Sequence, residues 1–329
     1  MKYINLLKRN LIDFVKTKKL YKFYSKNSQI RSLDIKSQVI AMFDGRLNHG
    51  GFSDRLWGMV SLYKYCKENQ CDFKIFFNNP FKLDEFLQPN QVNWTITEKE
   101  IIYDLSVAQP KYISMLPLTP HDMGKALEIK LKSCKPQKHI YSNTRSVTKR
   151  EFNTLYHELF KMSPFLNREL DMLKQKVNQD YISCAFRFQQ LLGDFKDQRG
   201  KVYKNQNQRD ELIEKCKNVI EKLGNLKHSP ILVTSDSNYF LNCISGMENV
   251  ITIKGEIIHC DYDTNNSSSQ TYLKLFLDIY MIANAREIYV CNMKPLYRSG
   301  LPGTAACIYN RPYYEIMDFE NLNIIHGFN

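Results

Sequence analysis

Tyr181 to Phe195 reads YISCAFRFQQLLGDF, and it changes character half-way along. Tyr181 to Phe188 is an apolar and aromatic run of buried-strand type, and Gly193-Asp194 then breaks the chain into a turn. Arg187 lies inside the apolar part. A guanidinium is permanently charged and costly to desolvate alone, so at the carboxyl end of an apolar strand it is expected to meet an anion in a crevice. A phosphate fits that place. The plainer reading, a structural salt bridge with Asp194, stays open.

Beyond this stretch the chain alternates. A helix is expected over 208–223, a strand over Pro230 to Thr234, a helix from Asn238 and a short strand over Val250 to Ile253. A helix over 269–284, a strand over Glu287 to Cys291 and a helix over 299–309 follow. Such alternation predicts parallel βαβ units, whose ligands bind beyond the carboxyl ends of the strands. Three loops there collect polar groups: Arg187 with Gly193 and Asp194; Thr234-Ser235-Asp236-Ser237; and Tyr297-Arg298-Ser299-Gly300. All three are expected to face one ligand.

Towards the amino terminus, Gln38 to Phe43 (QVIAMF) reads as a first strand, and the polar, glycine-containing stretch Asp44 to Gly51 follows it. Gly50 and Gly51 permit close backbone approach, and Ser53 is placed to cap a helix running on from Asp54. Free backbone N–H groups and a helix amino end then lie at the mouth of the sheet, where an anion or polar ligand can sit. The spacing matches neither GxGxxG nor a Walker loop. Cys71 to Phe77 reads as a second strand, residues 80–147 as irregular apart from a strand-like Ile101 to Leu105, and 148–161 and 163–177 as helices joining two halves. The expected division is a basic amphipathic segment over 1–30, an acceptor-side domain over 31–165 and a donor domain over 166–329.

Composition narrows the class. With 43% hydrophobic and 24% charged residues over 329 positions, the chain suits a globular protein of two domains. A net charge of +12 attracts anions without choosing among nucleic acid, lipid headgroups and phosphorylated sugars. Nucleic acid is set aside because no RNP, KH, zinc-finger or helix-turn-helix signature is present and the aromatics lie in apolar runs. Nine cysteines without a CxxC pair read as reduced small hydrophobes in a cytosolic protein. Residues 1–30 hold eight lysines and arginines against Asp13, with Ile4, Leu7, Leu11, Phe14 and Val15 near helical spacing. Two readings of that helix are open: it lies on an anionic membrane surface, or it packs this stripe on the domain. No stretch approaches the roughly 18 to 20 apolar residues that span a bilayer, so a cytoplasmic protein is expected, and on the first of these readings one peripheral on the inner membrane face.

The ordered motifs resemble a known family. FRFQQLLGDF (186–195) looks like an expanded HxRxGD motif of the α-1,2-, α-1,6- and protein O-fucosyltransferase superfamily, and VTSDS (233–237) like its ATDS-type segment. HGGFSDRLWGMVSLY (49–63) is similar to the family's glycine-rich opening motif, and LKLFLDIYMIANAREIYV (273–290) with YRSG (297–300) to its last motif. The resemblance runs from about 38 to 310 and implies an α/β, GT-B-like fold of two Rossmann-like domains facing a cleft. It also implies an inverting, metal-independent glycosyltransferase using a GDP-sugar such as GDP-fucose, with no cofactor. Arg187 would bind the donor's β-phosphate, Asp236 and Ser237 the nucleoside or its phosphates, and Ser299 the diphosphate region. Gly50, Gly51, Arg55, Gly193, Asp194, Thr234, His259 and Gly300 complete the expected donor set. Two departures stand out: Phe186 replaces the motif's histidine, and five residues rather than one separate Arg187 from Gly193.

The catalytic set expected is Arg187 with Asp54 or His49 as base, and Asp44 as a further candidate. Asp54 reads equally as a first-turn helix charge or a partner of Arg55, and His49 as a turn residue. Arg46 and Arg55 read either as phosphate or sugar contacts or as ion-paired surface charges. His259-Cys260-Asp261-Tyr262-Asp263 contains the Asp-x-Asp spacing of metal-dependent transferases, but an acidic loop is the more frequent explanation, and no metal is expected at Asp261 and Asp263. The expected activity is transfer of fucose to a hydroxyl of a surface glycan, such as capsule or lipopolysaccharide, with a glycan or lipid-linked glycan as acceptor. The alternatives are another nucleotide sugar, or a basic nucleic-acid- or glycan-binding protein without activity.

Overall fold

QVIAMF, apolar after its opening glutamine, forms β1 (Gln38–Phe43), buried at every position, as a parallel strand covered on both faces must be. The structure, a computed structural model, describes residues 2–27, 37–116, 118–177, 179–195, 202–261 and 269–327. The chain divides into two units, Met1–Lys161 and Met162–Asn329.

In the first unit α1 (Lys2–Lys26) precedes β1, and α2 (Phe52–Glu68), β2 (Asp72–Phe77), β3 (Leu87–Pro89) and β4 (Ala108–Ile113) follow it. Then come α3 (Pro120–Leu131), β5 (Gln137–Ser142), α4 (Lys149–Leu159) and β6 (Phe160–Met162), the strand at which one unit gives way to the other. The main sheet has the order β2-β1-β5-β4 and its pairs are parallel. Ile40 and Met42 of β1 meet Leu20 of α1 in one cluster, which accounts for one covered face. The glycine loop from β1 to α2 thus leaves the carboxyl end of an inner strand.

Part of this unit departs from expectation. Ile101 to Leu105 is not a strand, whereas β4, α3 and β5 are regular elements inside the stretch read as irregular. Pro110 disguises β4, yet the strand lies at the sheet edge, where a missing N–H costs no ladder bond. β5 (QKHIYS) looks too polar for an inner strand, but His139 is fully buried with both ring nitrogens satisfied. Its Nδ1 accepts from the Tyr24 hydroxyl at 2.6 Å and its Nε2 lies 2.8 Å from the Gln137 amide oxygen. Helix α1 docks, but not by the expected stripe: Asp13, Leu20 and Tyr24 are buried while Leu7, Leu11, Phe14 and Val15 face outward.

The second unit opens with α5 (Pro164–Val177) and β7 (Ile182–Phe186). It continues through α6 (Gln206–Lys227), β8 (Ile231–Ser235), α7 (Asn238–Ile244) and β9 (Val250–Ile251). After α8 (Ser269–Asn284), β10 (Ile288–Cys291) and α9 (Leu301–Ile308), it closes with β11 (Tyr313–Ile316) and β12 (Ile324–His326). The sheet order is β9-β8-β7-β10-β11-β12, parallel except for the antiparallel β12. β11 and β12 were not expected; β11 buries Glu315 between Tyr313 and Ile316, and that hydrogen-bonded glutamate hides the strand pattern. The chain moves outward from β7 through β8 to β9 and then returns to its other side at β10. That reversal leaves the carboxyl ends of β7 and β10 beside a crevice, the usual ligand position in such sheets.

Candidate functional site

The three polar loops of the second unit meet at this reversal point. Arg187 directly follows β7, and its carbonyl accepts the Tyr297 N–H at 2.9 Å, which pins the loop after β10 to the end of β7. Asp236, after β8, accepts the Phe188 N–H at 2.8 Å and the Gln189 N–H at 2.9 Å. The Arg187 Nε lies 3.9 Å from the same carboxylate, so Asp236, rather than the expected Asp194, is a salt-bridge partner of Arg187. The Arg187 side chain remains 27% exposed, enough for an anion to reach it. Burial pushes the Asp236 carboxyl up to about 6, against the lowering influence of Arg187 and of its backbone hydrogen bonds.

Asp194 accepts the Ser237 hydroxyl at 2.9 Å and the Tyr239 N–H at 2.8 Å, fixing the turn after Gly193 to the start of α7. Ser237 is fully buried and caps α7 by accepting the Phe240 N–H at 3.1 Å, so its hydroxyl serves the fold. Gly193 adopts φ +85°, a conformation that favours glycine. The five residues before it are not a surface insertion: Leu191 and Leu192 are buried in the core of the second unit, and the first two amides hold Asp236. Phe186, in place of the motif's histidine, is 1% exposed and packs its ring 5.2 Å from Phe240. Thr234 is buried in β8, paired with Ala185. Ser299 is mostly buried, and Gly300 stands at the amino end of α9.

Arg298 is a residue that motif reasoning left without a role. Its Nε donates to Glu315 on β11 at 2.7 Å, and Asn292 donates to the same carboxylate at 2.6 Å. The loop after β10 is thereby tied at both ends to β11. His259 comes to the same neighbourhood: its ring centroid is 6.1 Å from that of Phe195, and its Nδ1 accepts the Asp261 N–H at 3.1 Å. Asp263 lies outside the described residues. Among the described residues no group of three His, Cys, Asp or Glu side chains is placed to hold a metal ion.

In the first unit the glycine loop has its own geometry. Gly50 adopts φ +91°, and a Cβ there would come within 2.7 Å of the Asp54 Oδ2, so the carboxylate lies directly over the glycine. Gly51, not Ser53, is the N-cap, and α2 starts at Phe52. Arg55 is buried and braces the loop, donating from Nη1 to the Asn79 carbonyl at 2.8 Å and from Nε to the Gly50 carbonyl at 3.3 Å. Both bonds engage it with the backbone of its own unit.

The three candidate bases separate clearly. Asp44 is enclosed, bonded by the Tyr141 hydroxyl at 2.7 Å and by Arg46. His49 is 2% exposed, with its ring stacked on Tyr141 at 5.9 Å and 4.7 Å from Phe43. Burial first, then Arg55 and Lys16, hold its pKa well below the usual histidine value, so it is a weak base without access to solvent. Asp54 is 38% exposed and forms an ion pair with Arg145 at 3.0 Å. Arg145 carries no motif; it follows β5, a strand not expected from sequence, and only the fold brings it to Asp54.

These two units define an α/β fold of the GT-B type. Solved structures with a similar fold include fucosyltransferases. NodZ from Bradyrhizobium superposes with TM-score 0.56 at 13% identity, over 88% of this chain and 99% of that one. NodZ α-1,6-fucosyltransferase soaked with GDP-fucose gives TM-score 0.55 at 12% identity, over 88% and 99% of the two chains. A variant of Arabidopsis thaliana FUT1 in complex with GDP gives 0.53 at 11% identity, over 93% of this chain and 75% of that one. No protein-family model matches the sequence, and no curated protein does.

Proposed function

We propose that this chain is an inverting, metal-independent glycosyltransferase that moves fucose from GDP-fucose to a hydroxyl of a surface glycan. The observation that carries this reading is the placement of Arg187: a part-exposed guanidinium at the β7 and β10 crevice, held by Asp236 and by the loop after β10. The same fold in NodZ was soaked with GDP-fucose, which supports that donor.

In the reaction the bond from the anomeric carbon to the β-phosphate oxygen breaks as the acceptor oxygen bonds to the opposite face of that carbon. Negative charge grows on the departing GDP, and a fixed guanidinium beside it stabilises the transition state more than the ground state. The acceptor proton is assigned to Asp54, a part-exposed carboxylate in the first turn of α2. The test is transfer and donor hydrolysis with a panel of GDP- and UDP-sugars, with and without EDTA. GDP-fucose is expected to be turned over regardless of EDTA, and Arg187→Ala to lose roughly 100-fold in kcat/KM. Equal activity of wild type and Arg187→Ala with every donor would sink the mechanism.

The buried Phe186 favours a second reading, a relative that binds GDP-sugars without turnover. GDP-dependent thermal stabilisation with no product for any donor would select it.

A further inference from the structure

We propose that α1 binds the surface of a bilayer rich in anionic headgroups and lays an outward apolar stripe into its interface. The helix is fixed in rotation by its inner face. The Asp13 Oδ1 accepts the Ser114 N–H at 3.1 Å, Thr17 accepts the Tyr112 N–H at 3.0 Å, and Tyr24 reaches His139 at 2.6 Å. Asp13, Thr17, Leu20 and Tyr24 recur at helical spacing on that inner face, so it cannot rotate away without breaking all of these bonds.

On the opposite face, Leu7 is 69% exposed, Leu11 63%, Phe14 66% and Val15 58%. Exposed Lys18 and Lys22 continue the same line at i+4 steps, with Lys8, Arg9 and Lys19 beside it. Asp13, the one acid in this helix, is buried and paired with Lys130 at 2.7 Å, so nothing acidic on α1 offsets the exposed cations. Charge therefore selects the occupant. A second copy of the chain would bring like charge against like, whereas phosphate headgroups supply the opposite sign and the acyl boundary accepts the leucines and phenylalanine. Among the described residues no helix is long and apolar enough to cross a membrane, and a helix lying in the interface does not need to be.

The inference is independent of the donor reading, none of whose residues lie on α1. The test is co-sedimentation of the full chain with vesicles of phosphatidylcholine alone or mixed with phosphatidylglycerol. Binding is expected only to the mixed vesicles, weakening with salt. Leu11→Ser with Phe14→Ser, and separately Lys18→Glu with Lys22→Glu, are each expected to weaken it by roughly tenfold or more, since each surface charge is worth about fivefold. Melting temperatures should stay at the wild-type value, because neither pair touches the docked face. Absence of binding to mixed vesicles, equal binding to neutral ones, or indifference to both double variants would overturn the proposal. So would a concentration-dependent dimer abolished by Leu11→Ser with Phe14→Ser, which would give the stripe to a second copy.

Discussion

At the residue scale, Asp236 shows how one carboxylate serves two demands. It holds the amides of Phe188 and Gln189, which shapes the turn, and it holds Arg187 without covering it. Its pKa is raised to about 6 from the ordinary 3.8, so the folded chain keeps a proton that the unfolded chain has lost. The sign follows: this group's contribution is fully present below about pH 4, declines as pH rises through about 6, and is constant above. Denaturant titrations of wild type and Asp236→Asn should therefore differ in slope between pH 4 and 6, with wild type losing on the order of 2–3 kcal/mol relative to the variant across that window. Parallel slopes would remove Asp236 as the titrating group. The bases divide in the same way. Asp54→Asn is expected to lower kcat by at least about 100-fold, whereas His49→Gln, a change inside an aromatic enclosure, should act through stability rather than through the pH profile of kcat. An unchanged kcat in Asp54→Asn would discard the base assignment.

At the scale of elements, close approach and capping decide where the loops sit. Gly58 on α2 faces the end of β5, and a Cβ there would run into the Ser142 carbonyl oxygen. Gly58→Ala should therefore displace α2 and cost about 1–3 kcal/mol, read by chemical denaturation. A cost near zero would show that the helix can slide. Tyr24→Phe tests the docking of α1. It leaves the buried His139 Nδ1 without its donor, an expected loss of about 1–3 kcal/mol with membrane association unchanged, because the outward stripe is untouched. In the second unit, the buried pair Leu191 and Leu192 explains why the longer turn after Arg187 is tolerated: its extra residues fill core rather than crevice.

At the scale of the whole molecule, each unit has its own sheet, and the second has a continuous core drawn from its own elements. A fragment covering 162–329 is accordingly expected to unfold in one cooperative transition and to gain thermal stability from GDP. A fragment that melts without a transition would show that the second unit depends on the first. Much of this unit was readable beforehand, because continuous apolar runs such as Tyr181 to Phe188 alternate with helical spacing, and that alternation admits few topologies. The same reasoning marked Arg187, Asp194, Asp236 and Ser299 as residents of neighbouring loops, since strand ends in a parallel sheet converge.

Local pattern was also enough to locate β1 and the glycine loop. Tertiary structure alone decided the rest. β4 and β5 are strands because a sheet edge forgives Pro110 and because buried partners satisfy His139, and neither condition is written in the segment itself. Asp236, rather than the expected Asp194, pairs with Arg187 because β8 lies beside β7 and directs its end there. Arg145 reaches Asp54 across 91 residues of chain for the same reason. Periodicity reports which residues seek burial, but the partner that makes a buried charge or a polar strand affordable is supplied by chain folded from elsewhere.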